Sequence, residues 1–357
     1  MQPRDLSDHV EYVAGRGIEE VARELGRDPD AFVKLASNEN PHGPSPAAVD
    51  AIRDVADEVH HYPKAVHADL TAAIADRWTV DEDQIWLANG GDGAIDYLSR
   101  AMLDPDDGVL VPDPGFAYYG MSARFHHGTV RTYPVSHRDG FALSPANVFE
   151  TYEDERLVYL TSPHNPTGSR FSLEDVETIA RGTDDETLVV VDEAYAEFTD
   201  APSAISLLDD RDDVAVLRTF SKAYGLAGLR LGYAVVPSEW AGAYGRVNTP
   251  FAASAVACTA GLAALGDDEH VERSVETAAW SREYMYENVD ARTYESHGNF
   301  VLVEVGDASA VADALQKRGV IVRDCTSFGL PEHVRVTCGT EDETRRAVTE
   351  LNEVLAE

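Results

Sequence analysis

The segment LVYLTSPHNPTG, residues 157–168, decides the fold that this sequence predicts. It begins with four apolar residues of the kind that fill a buried strand, and it continues with turn-forming residues. The same arrangement recurs in LVVVDEAY at residues 188–195 and in VAVLRTFSK at residues 214–222. Short buried strands separated by helical stretches favour crossover connections. The sequence therefore predicts an α/β fold with a largely parallel sheet covered by helices on both faces.

The chain on either side of this region predicts two domains. The segment NENPHGPSP, residues 38–46, holds three prolines and reads as a loop, and helix and strand signals alternate after it. A long helical region is predicted from Ser238 to Asn288, and strands and helices of a smaller α+β unit follow from Phe300. We expect a large domain of residues 41–250 and a small domain of residues 1–40 and 251–357, which includes the N-terminal segment and a linking helix.

Composition limits the partners of this protein. The 357 residues include 29 basic and 64 acidic side chains, a formal net charge of −35. Such a surface repels the phosphates of nucleic acids and of anionic membranes. No apolar run approaches the roughly 20 residues that span a bilayer, and no leader pattern opens the chain. We therefore expect a cytoplasmic protein that binds neither nucleic acid nor membrane.

The types of charged residue and the spacing of the cysteines indicate the redox compartment and the salt concentration in which the protein works. Only four basic residues are lysines, and the three cysteines form no close pair. The cysteine spacing predicts neither a disulfide framework nor a zinc site, which suits a reducing compartment. An acid excess with so little lysine suggests adaptation to concentrated salt, in which charge repulsion is screened. An ordinary acidic protein is the alternative.

Polar residues follow the predicted strands at the edge where ligands gather in parallel sheets. The segment NGGDG follows Ile85–Leu87 and precedes a helix, so its backbone N–H groups can approach a phosphate, although such a turn is often only a turn. Asp192 ends a run of apolar residues. A buried carboxylate is costly without a partner, so we expect Asp192 to face a cationic group, with a helix N-cap as the alternative.

These residues together meet the needs of pyridoxal phosphate. Lys222 offers the amine that binds the aldehyde, and Asp192 offers the anion for the ring nitrogen. Asn165 and Tyr195 can donate to the ring oxygen. The phosphate would be held by Gly91, Asp92, Gly93, Ser221 and Arg230, because backbone N–H groups, a hydroxyl and a guanidinium are suited to it.

The strings SPHNPTG, VVVDEAYAEF and TFSKAYGLAGLRLGY, in this order, resemble the fold-type I pyridoxal-phosphate aminotransferases. Further strings, among them NGGDGAIDYL, HGNFVLVEV and HVRVTCGT, narrow the resemblance to the histidinol-phosphate aminotransferase family of class II, over nearly the whole chain. The resemblance implies the fold-type I architecture and catalytic roles for Lys222, Asp192 and Tyr195.

The resemblance also implies further contacts. Phe116 would stack on the cofactor ring. Tyr62 would reach the phosphate in the neighbouring subunit, which implies a homodimer with shared active sites. Arg335 would bind an anionic group of the substrate, Arg323 would bind the histidinol phosphate group, and Asn40 and Tyr12 are weaker candidates at the substrate entrance. Gly93 departs from the family, in which many members have glutamate, so the detail of the phosphate turn is open.

The implied reaction transfers the amino group between L-histidinol phosphate and 2-oxoglutarate, giving imidazole acetol phosphate and L-glutamate. A threonine-phosphate decarboxylase and an aromatic or aspartate aminotransferase are alternatives that share the cofactor. A regulator that binds the cofactor is disfavoured, because the chain carries no DNA-binding module. We expect no metal site, since the adjacent pairs His60–His61 and His126–His127 point their side chains in different directions.

Overall fold

The computed structural model of the chain describes residues 6, 7, 9, 11–13, 15–64 and 67–357. The strands within these ranges are β1 Val33–Leu35, β2 Ile85–Ala88, β3 Gly108–Asp113, β4 Thr129–Pro134, β5 Leu157–Thr161, β6 Leu188–Asp192, β7 Val214–Thr219, β8 Gly232–Val235, β9 Arg292–Thr293, β10 Phe300–Glu304, β11 Val320–Asp324 and β12 His333–Thr337. The α-helices are α1 Ile18–Leu25, α2 Pro46–Val55, α3 Ala68–Trp78, α4 Gly90–Met102, α5 Tyr118–Phe125, α6 Pro145–Phe149, α7 Leu173–Gly182, α8 Tyr244–Val247, α9 Ala255–Leu265, α10 Asp268–Asn288, α11 Ala308–Arg318 and α12 Glu341–Leu355.

A seven-stranded sheet in the order β2-β8-β7-β6-β5-β3-β4 forms the centre of the larger part of the chain. The strands from β4 to β7 in this order are parallel, and β8 and β2 are antiparallel to their neighbours. The prediction of an α/β fold with a mostly parallel sheet is confirmed. Of these seven strands only β8 runs in the opposite direction, because β2 is antiparallel to β8 and therefore runs the same way as β3 to β7. The carboxyl ends of the other six strands thus lie at a common edge.

Alternation along the central strands builds a core on each face of this sheet. In β5, Val158 and Leu160 belong to one hydrophobic cluster, and Leu157 and Tyr159 belong to another. All residues of β5, β6 and β7 are buried. Because helices cover both faces, every position in these strands is enclosed, which explains the continuous apolar runs in the sequence.

A five-stranded sheet in the order β1-β11-β12-β10-β9 forms the smaller unit. Strand β1 pairs in parallel with β11, so the N-terminal segment joins the C-terminal part of the chain, as expected. Helix α9 lies beyond residue 250, yet it packs against α2 and contributes to the core of the seven-stranded sheet. The domain boundaries at residues 40 and 250 remain predictions.

The helices differ from expectation at two places. Helix α4 begins at Gly90, whereas a start at Ala94 was predicted, so residues 91–93 form its first turn. The helical region predicted from Ser238 to Asn288 is interrupted between α8 and α9, at a stretch that contains Pro250, which cannot donate a helical hydrogen bond. None of the helices in the described ranges is both long and apolar enough to cross a membrane.

Candidate active site

A cavity of about 540 Å³ opens at the carboxyl ends of the parallel strands and is bounded on its other side by residues of β11 and β12. Both sheets therefore contribute to one site. Twelve of the residues selected from the sequence line it: Tyr12, Gly91, Asp92, Phe116, Asn165, Asp192, Tyr195, Ser221, Lys222, Arg230, Arg323 and Arg335.

Lys222 lies just beyond the end of β7, where its amine is enclosed. Nζ donates a hydrogen bond to the carbonyl oxygen of Ser37 at 3.2 Å and lies 5.6 Å from the ring centroid of Tyr195. Burial, reinforced by the charge of Arg335, lowers the pKa of Lys222 to about 8. The unprotonated fraction of the amine near neutral pH is therefore much larger than that of an ordinary lysine, as a nucleophile or base requires.

Asp192 ends β6, the neighbour of β7, and is only 8% exposed. Oδ2 accepts a hydrogen bond from the Tyr119 hydroxyl at 2.5 Å, and Oδ1 accepts one from the N–H of Ala194 at 2.9 Å. Burial raises the pKa of Asp192. Two hydrogen-bond donors hold the carboxylate, no cationic side chain of the described residues pairs with it, and Asp192 borders the cavity. The expectation that Asp192 faces a cationic group stays a prediction.

Asn165 and Tyr195 are fixed by residues of the smaller sheet and of the turn after β1. Arg335 donates from Nη1 to Oδ1 of Asn165, which leaves the amide nitrogen of Asn165 as its remaining polar group. The Tyr195 hydroxyl accepts a hydrogen bond from Nδ2 of Asn38 at 3.1 Å, and its ring packs edge-on against Phe300. Both side chains are thus oriented before any ligand binds.

An anion cradle forms at the N-terminus of α4. Arg230 pairs through Nη2 with Asp92 at 3.0 Å and donates from Nη1 to the Ser221 hydroxyl at 3.4 Å. Gly90 has a φ of +77°, and a Cβ there would come within 2.5 Å of the Arg230 guanidinium. A Cβ at Gly91 would meet no described atom within 4 Å, so the first turn of α4 faces open space. Free N–H groups and a guanidinium around open space suit a phosphate.

Phe116 and Tyr12 provide aromatic surface at the cavity. The ring of Phe116 packs edge-on against Tyr119, with centroids 5.4 Å apart, and against Tyr12, with centroids 6.1 Å apart. Tyr12 is about half exposed, so it stands at the entrance. An aromatic face that lines the cavity can stack on a planar ligand.

The smaller sheet contributes a pair of arginines. Arg323 and Arg335 are register partners on β11 and β12, and both are more than nine-tenths buried. Arg323 donates from Nη2 to the carbonyl of Val13 and to Ser327, and both guanidinium groups lie over the ring of Phe328. The Nε atoms of both arginines are buried without a hydrogen-bond partner among the described atoms. Two adjacent cations with unused donors are suited to an anionic ligand.

Three of the selected residues do not line this cavity. Tyr62 is 85% exposed and packs on Phe251, at a centroid distance of 5.1 Å. Asn40 uses Nδ2 to donate to the carbonyl of Ala223 and to Ser274, and uses Oδ1 to accept from the N–H of His42. Gly93 faces Ala88, whose Cβ would lie 3.3 Å from an added Cβ.

The residues that line the cavity and that the sequence did not indicate include Ser37, Asn38, Tyr119 and Phe328. Tyr119 lies three residues after Phe116 and could have been found as the next residue on the same face of a helix. Asn38 lies in the same loop as Asn40, but its φ of +53° turns it towards Tyr195. No sequence signal distinguishes these two asparagines.

Comparisons with known proteins agree with this geometry. Residues 30–351 match the family model described as aminotransferase class I and II. The chain is 70% identical to the histidinol-phosphate aminotransferase of Natronomonas pharaonis, covering 99% of this chain and 100% of that protein. It is 67% identical to the enzyme of the same name from Halobacterium salinarum, with 99% of each chain covered.

A solved structure shows the same architecture. The histidinol-phosphate aminotransferase of Sinorhizobium meliloti, crystallised in complex with pyridoxal-5'-phosphate, superimposes with a TM-score of 0.88 at 29% identity, covering 99% of this chain and 98% of that one. The full-length matches, several of them to proteins of halophilic archaea, agree with the resemblance read from the sequence. The chain therefore belongs to the aminotransferase class I and II family and, within it, to the histidinol-phosphate aminotransferases.

Proposed function

We propose that this protein transfers the amino group between L-histidinol phosphate and 2-oxoglutarate, with pyridoxal phosphate bound at Lys222. The observation that carries the proposal is the arrangement of one cavity. An enclosed amine follows one strand, and a carboxylate that pairs with no cationic side chain of the described residues ends the adjacent strand. Arg323 and Arg335 form a cationic pair on the other side. These are the groups that an amino-group transfer between anionic substrates requires.

The donor set fits pyridoxal phosphate. Arg230, Ser221 and the first turn of α4 would hold its phosphate, with Asp92 and Gly93 contributing backbone N–H groups, since the carboxylate of Asp92 is already paired with Arg230. Asp192 would accept a hydrogen bond from the protonated ring nitrogen and keep it protonated, and the face of Phe116 would cover the ring. When bound, the cofactor supplies the electron sink that makes the proton on the amine-bearing carbon acidic.

Lys222 would act as the general base and acid. Its pKa near 8 allows Nζ to remove the proton from the amine-bearing carbon of the substrate and to return a proton later in the reaction. Asn165 and Tyr195 would donate to the ring oxygen, with Tyr195 oriented by Asn38. Enclosure of Lys222 and Asp192 excludes water, which strengthens these interactions.

The arginine pair would bind both substrates in turn. Histidinol phosphate presents a phosphate monoester, and 2-oxoglutarate presents two carboxylates. The site therefore needs hydrogen-bond donors that can bind either anion. Planar guanidinium groups suit both anions through paired hydrogen bonds. The net charge of −35 would otherwise repel these substrates, so Arg323 and Arg335 also provide local attraction.

The test is a comparison of Lys222→Ala with Lys317→Ala, which removes an exposed lysine far along the chain. We expect Lys222→Ala to abolish glutamate formation from histidinol phosphate and 2-oxoglutarate, and to abolish labelling by pyridoxal phosphate and borohydride. Lys317→Ala should keep both. Release of carbon dioxide from threonine phosphate without need for 2-oxoglutarate would instead identify the decarboxylase alternative. Full turnover by Lys222→Ala would refute the assignment.

The proposal includes a homodimer in which Tyr62 serves the neighbouring site. The exposure of Tyr62 beside Phe251, itself 48% exposed, supports a covered position in an assembly, because large apolar side chains at adjacent surface positions favour an interface. Mixing Lys222→Ala chains with Tyr62→Ala chains tests it. One site of each hybrid dimer is then intact, so random mixing should restore about a quarter of the wild-type activity. No recovery in mixed dimers would show that Tyr62 does not act across subunits.

A further inference from the structure

Two histidines and a glutamate converge at a place that does not border the cavity. His137 opens a short 3-10 turn after β4, Glu304 ends β10, and His333 begins β12. Glu304 and His333 are register partners on neighbouring strands. One possible ligand atom from each of the three residues lies within 4.8 Å of those of the other two. The cluster therefore joins the edge of the seven-stranded sheet to the five-stranded sheet.

His333 is the unusual member of this cluster. It is only 2% exposed, and both ring nitrogens are buried without a hydrogen-bond partner among the described atoms. An imidazole enclosed in this way loses its hydrogen bonds to water and gains none in return. A ligand bound to a ring nitrogen of His333 would supply the partner that this buried side chain lacks.

The other two residues are held by neighbours and remain within reach of solvent. Glu304 accepts a hydrogen bond from the Tyr294 hydroxyl at 2.8 Å and lies 3.8 Å from Arg292 Nη1. His137 Nε2 lies 3.4 Å from the same carboxylate oxygen, and its ring packs near Phe141. The hydrogen bond from Tyr294 orients the carboxylate, as outer-shell partners do in metal sites.

We propose that His137, His333 and Glu304 bind one divalent transition-metal ion of the zinc type. Two imidazole nitrogens and one carboxylate oxygen form a donor set that zinc prefers, and three protein ligands leave a position for water. Bonds of about 2.0–2.2 Å in a tetrahedral site place ligand atoms about 3.3–3.6 Å apart. His137 Nε2 and the Glu304 carboxylate already lie 3.4 Å apart, and the ligand atoms of the three residues all lie within 4.8 Å of one another. The side chains of His137 and Glu304 are partly exposed, whereas His333 is buried.

Metal binding would tie two parts of the chain that are far apart in sequence. His137 and Glu304 are separated by 167 residues, so the spacing of histidines along the sequence does not reveal this cluster. An ion held by both sheets stabilises the folded state by mass action. Its expected role is structural, since none of the three ligands lines the cavity.

The experiment uses the untagged holoenzyme, stripped with EDTA and titrated with Zn²⁺ by calorimetry and with Co²⁺ by visible absorption. We expect one ion per chain, ligand-field bands of Co²⁺, and a higher melting temperature with Zn²⁺. His137→Gln and Glu304→Gln should each weaken Zn²⁺ binding by about a hundredfold, since even outer-shell changes cost about 10- to 100-fold. These variants keep His333 in place, so they test the site without disturbing the buried ring.

The control is the double variant His60→Gln/His61→Gln, which removes an exposed adjacent pair. The rings of this pair lie 3.8 Å apart, so the expectation that its side chains point in different directions is wrong. Its Zn²⁺ affinity and its stoichiometry should equal those of the wild type. Absence of stoichiometric binding, or binding that survives His137→Gln and is lost in the His60/His61 variant, would overturn the proposal. Aminotransferase activity is expected to persist in all three variants.

Discussion

Arg323 and Arg335 lie directly opposite each other on the antiparallel strands β11 and β12, and neither forms an ion pair with a carboxylate of the described part of the chain. Like charges in register destabilise a sheet, and burial together with Arg335 lowers the pKa of Arg323. An anion bound between them would relieve this unfavourable pairing. We therefore expect the two arginines to select the substrate.

The first prediction separates their roles by substitution. Arg335→Ala should raise KM for both substrates by about 10- to 100-fold, the equivalent of a hydrogen bond to a charged group, because Arg335 also orients Asn165. Arg323→Ala should raise KM about tenfold for histidinol phosphate and much less for 2-oxoglutarate. Arg345→Ala, which removes an exposed arginine paired with Glu341, is the control and should change neither constant. Equal losses for both substrates in Arg323→Ala would contradict the assignment.

The second prediction concerns the hydroxyl that holds Asp192. Tyr119→Phe removes the 2.5 Å hydrogen bond and leaves the Ala194 N–H as the donor to this carboxylate. The hydrogen bond from Tyr119 lowers the pKa of Asp192, so its removal should raise that pKa. The acid limb of the pH–activity profile should then lie at higher pH than in the wild type. We expect kcat to decrease about tenfold at neutral pH.

Tyr118→Phe is the matched control for this change. The neighbouring Tyr118 donates to a different carboxylate, Asp96, at 3.0 Å, and also borders the cavity. Its removal should leave the acid limb of the pH profile in place. A pH profile of Tyr119→Phe that coincides with that of the wild type would show that the hydroxyl does not tune Asp192.

The third prediction follows from the enclosed amine of Lys222. Its pKa in the folded protein is lowered to about 8, and that of an unfolded lysine is higher, so the unfolded chain binds the additional proton between these values. This group therefore makes the cofactor-free protein more stable as pH rises above about 8. The rate at which pyridoxal phosphate binds should rise about tenfold per pH unit below 8 and level off above it.

Two charge variants test the cause of this shift. Arg335→Gln removes a cation that lowers the pKa of Lys222, so the midpoint of cofactor uptake should move to higher pH. Glu39→Gln removes an anion that raises this pKa, so the midpoint should move to lower pH. Shifts in the same direction in both variants would exclude an electrostatic origin.

The residues at strand ends could be predicted from the sequence because one physical rule governs them. Buried parallel strands are continuous apolar runs, and their carboxyl ends meet at one edge, so Asn165, Asp192 and Lys222 had to lie near one another. The structure brings all three to the same cavity. The common edge of the parallel strands is therefore sufficient to predict that these three residues lie in one site.

Other parts of the site depend on long-range contacts that no local pattern encodes. The facing of Arg323 and Arg335 requires the register of β11 against β12, and the choice between Asn38 and Asn40 requires the conformation of one turn. The sequence indicates that Asp192 needs a partner, but the rule against unpaired buried charge does not say whether a cation or a hydrogen bond satisfies it, and the Tyr119 hydroxyl supplies a hydrogen bond. Tertiary packing decides each of these cases.

The last prediction concerns salt. The net charge of −35 lies on the surface, for example in the acidic runs Asp104–Asp107 and Asp209–Asp213, where most side chains are exposed. Repulsion among these charges opposes folding, and the screening length falls from about 10 Å at 0.1 M salt to about 3 Å at 1 M. We expect the melting temperature to rise by several degrees between 0.1 and 3 M KCl, most steeply below 1 M. Sucrose of equal osmotic strength is the control, since it is excluded from the surface without screening charge and should reproduce only the shallow part of the rise. A melting temperature that is flat or decreasing in KCl would show that the acidic surface is not an adaptation to salt.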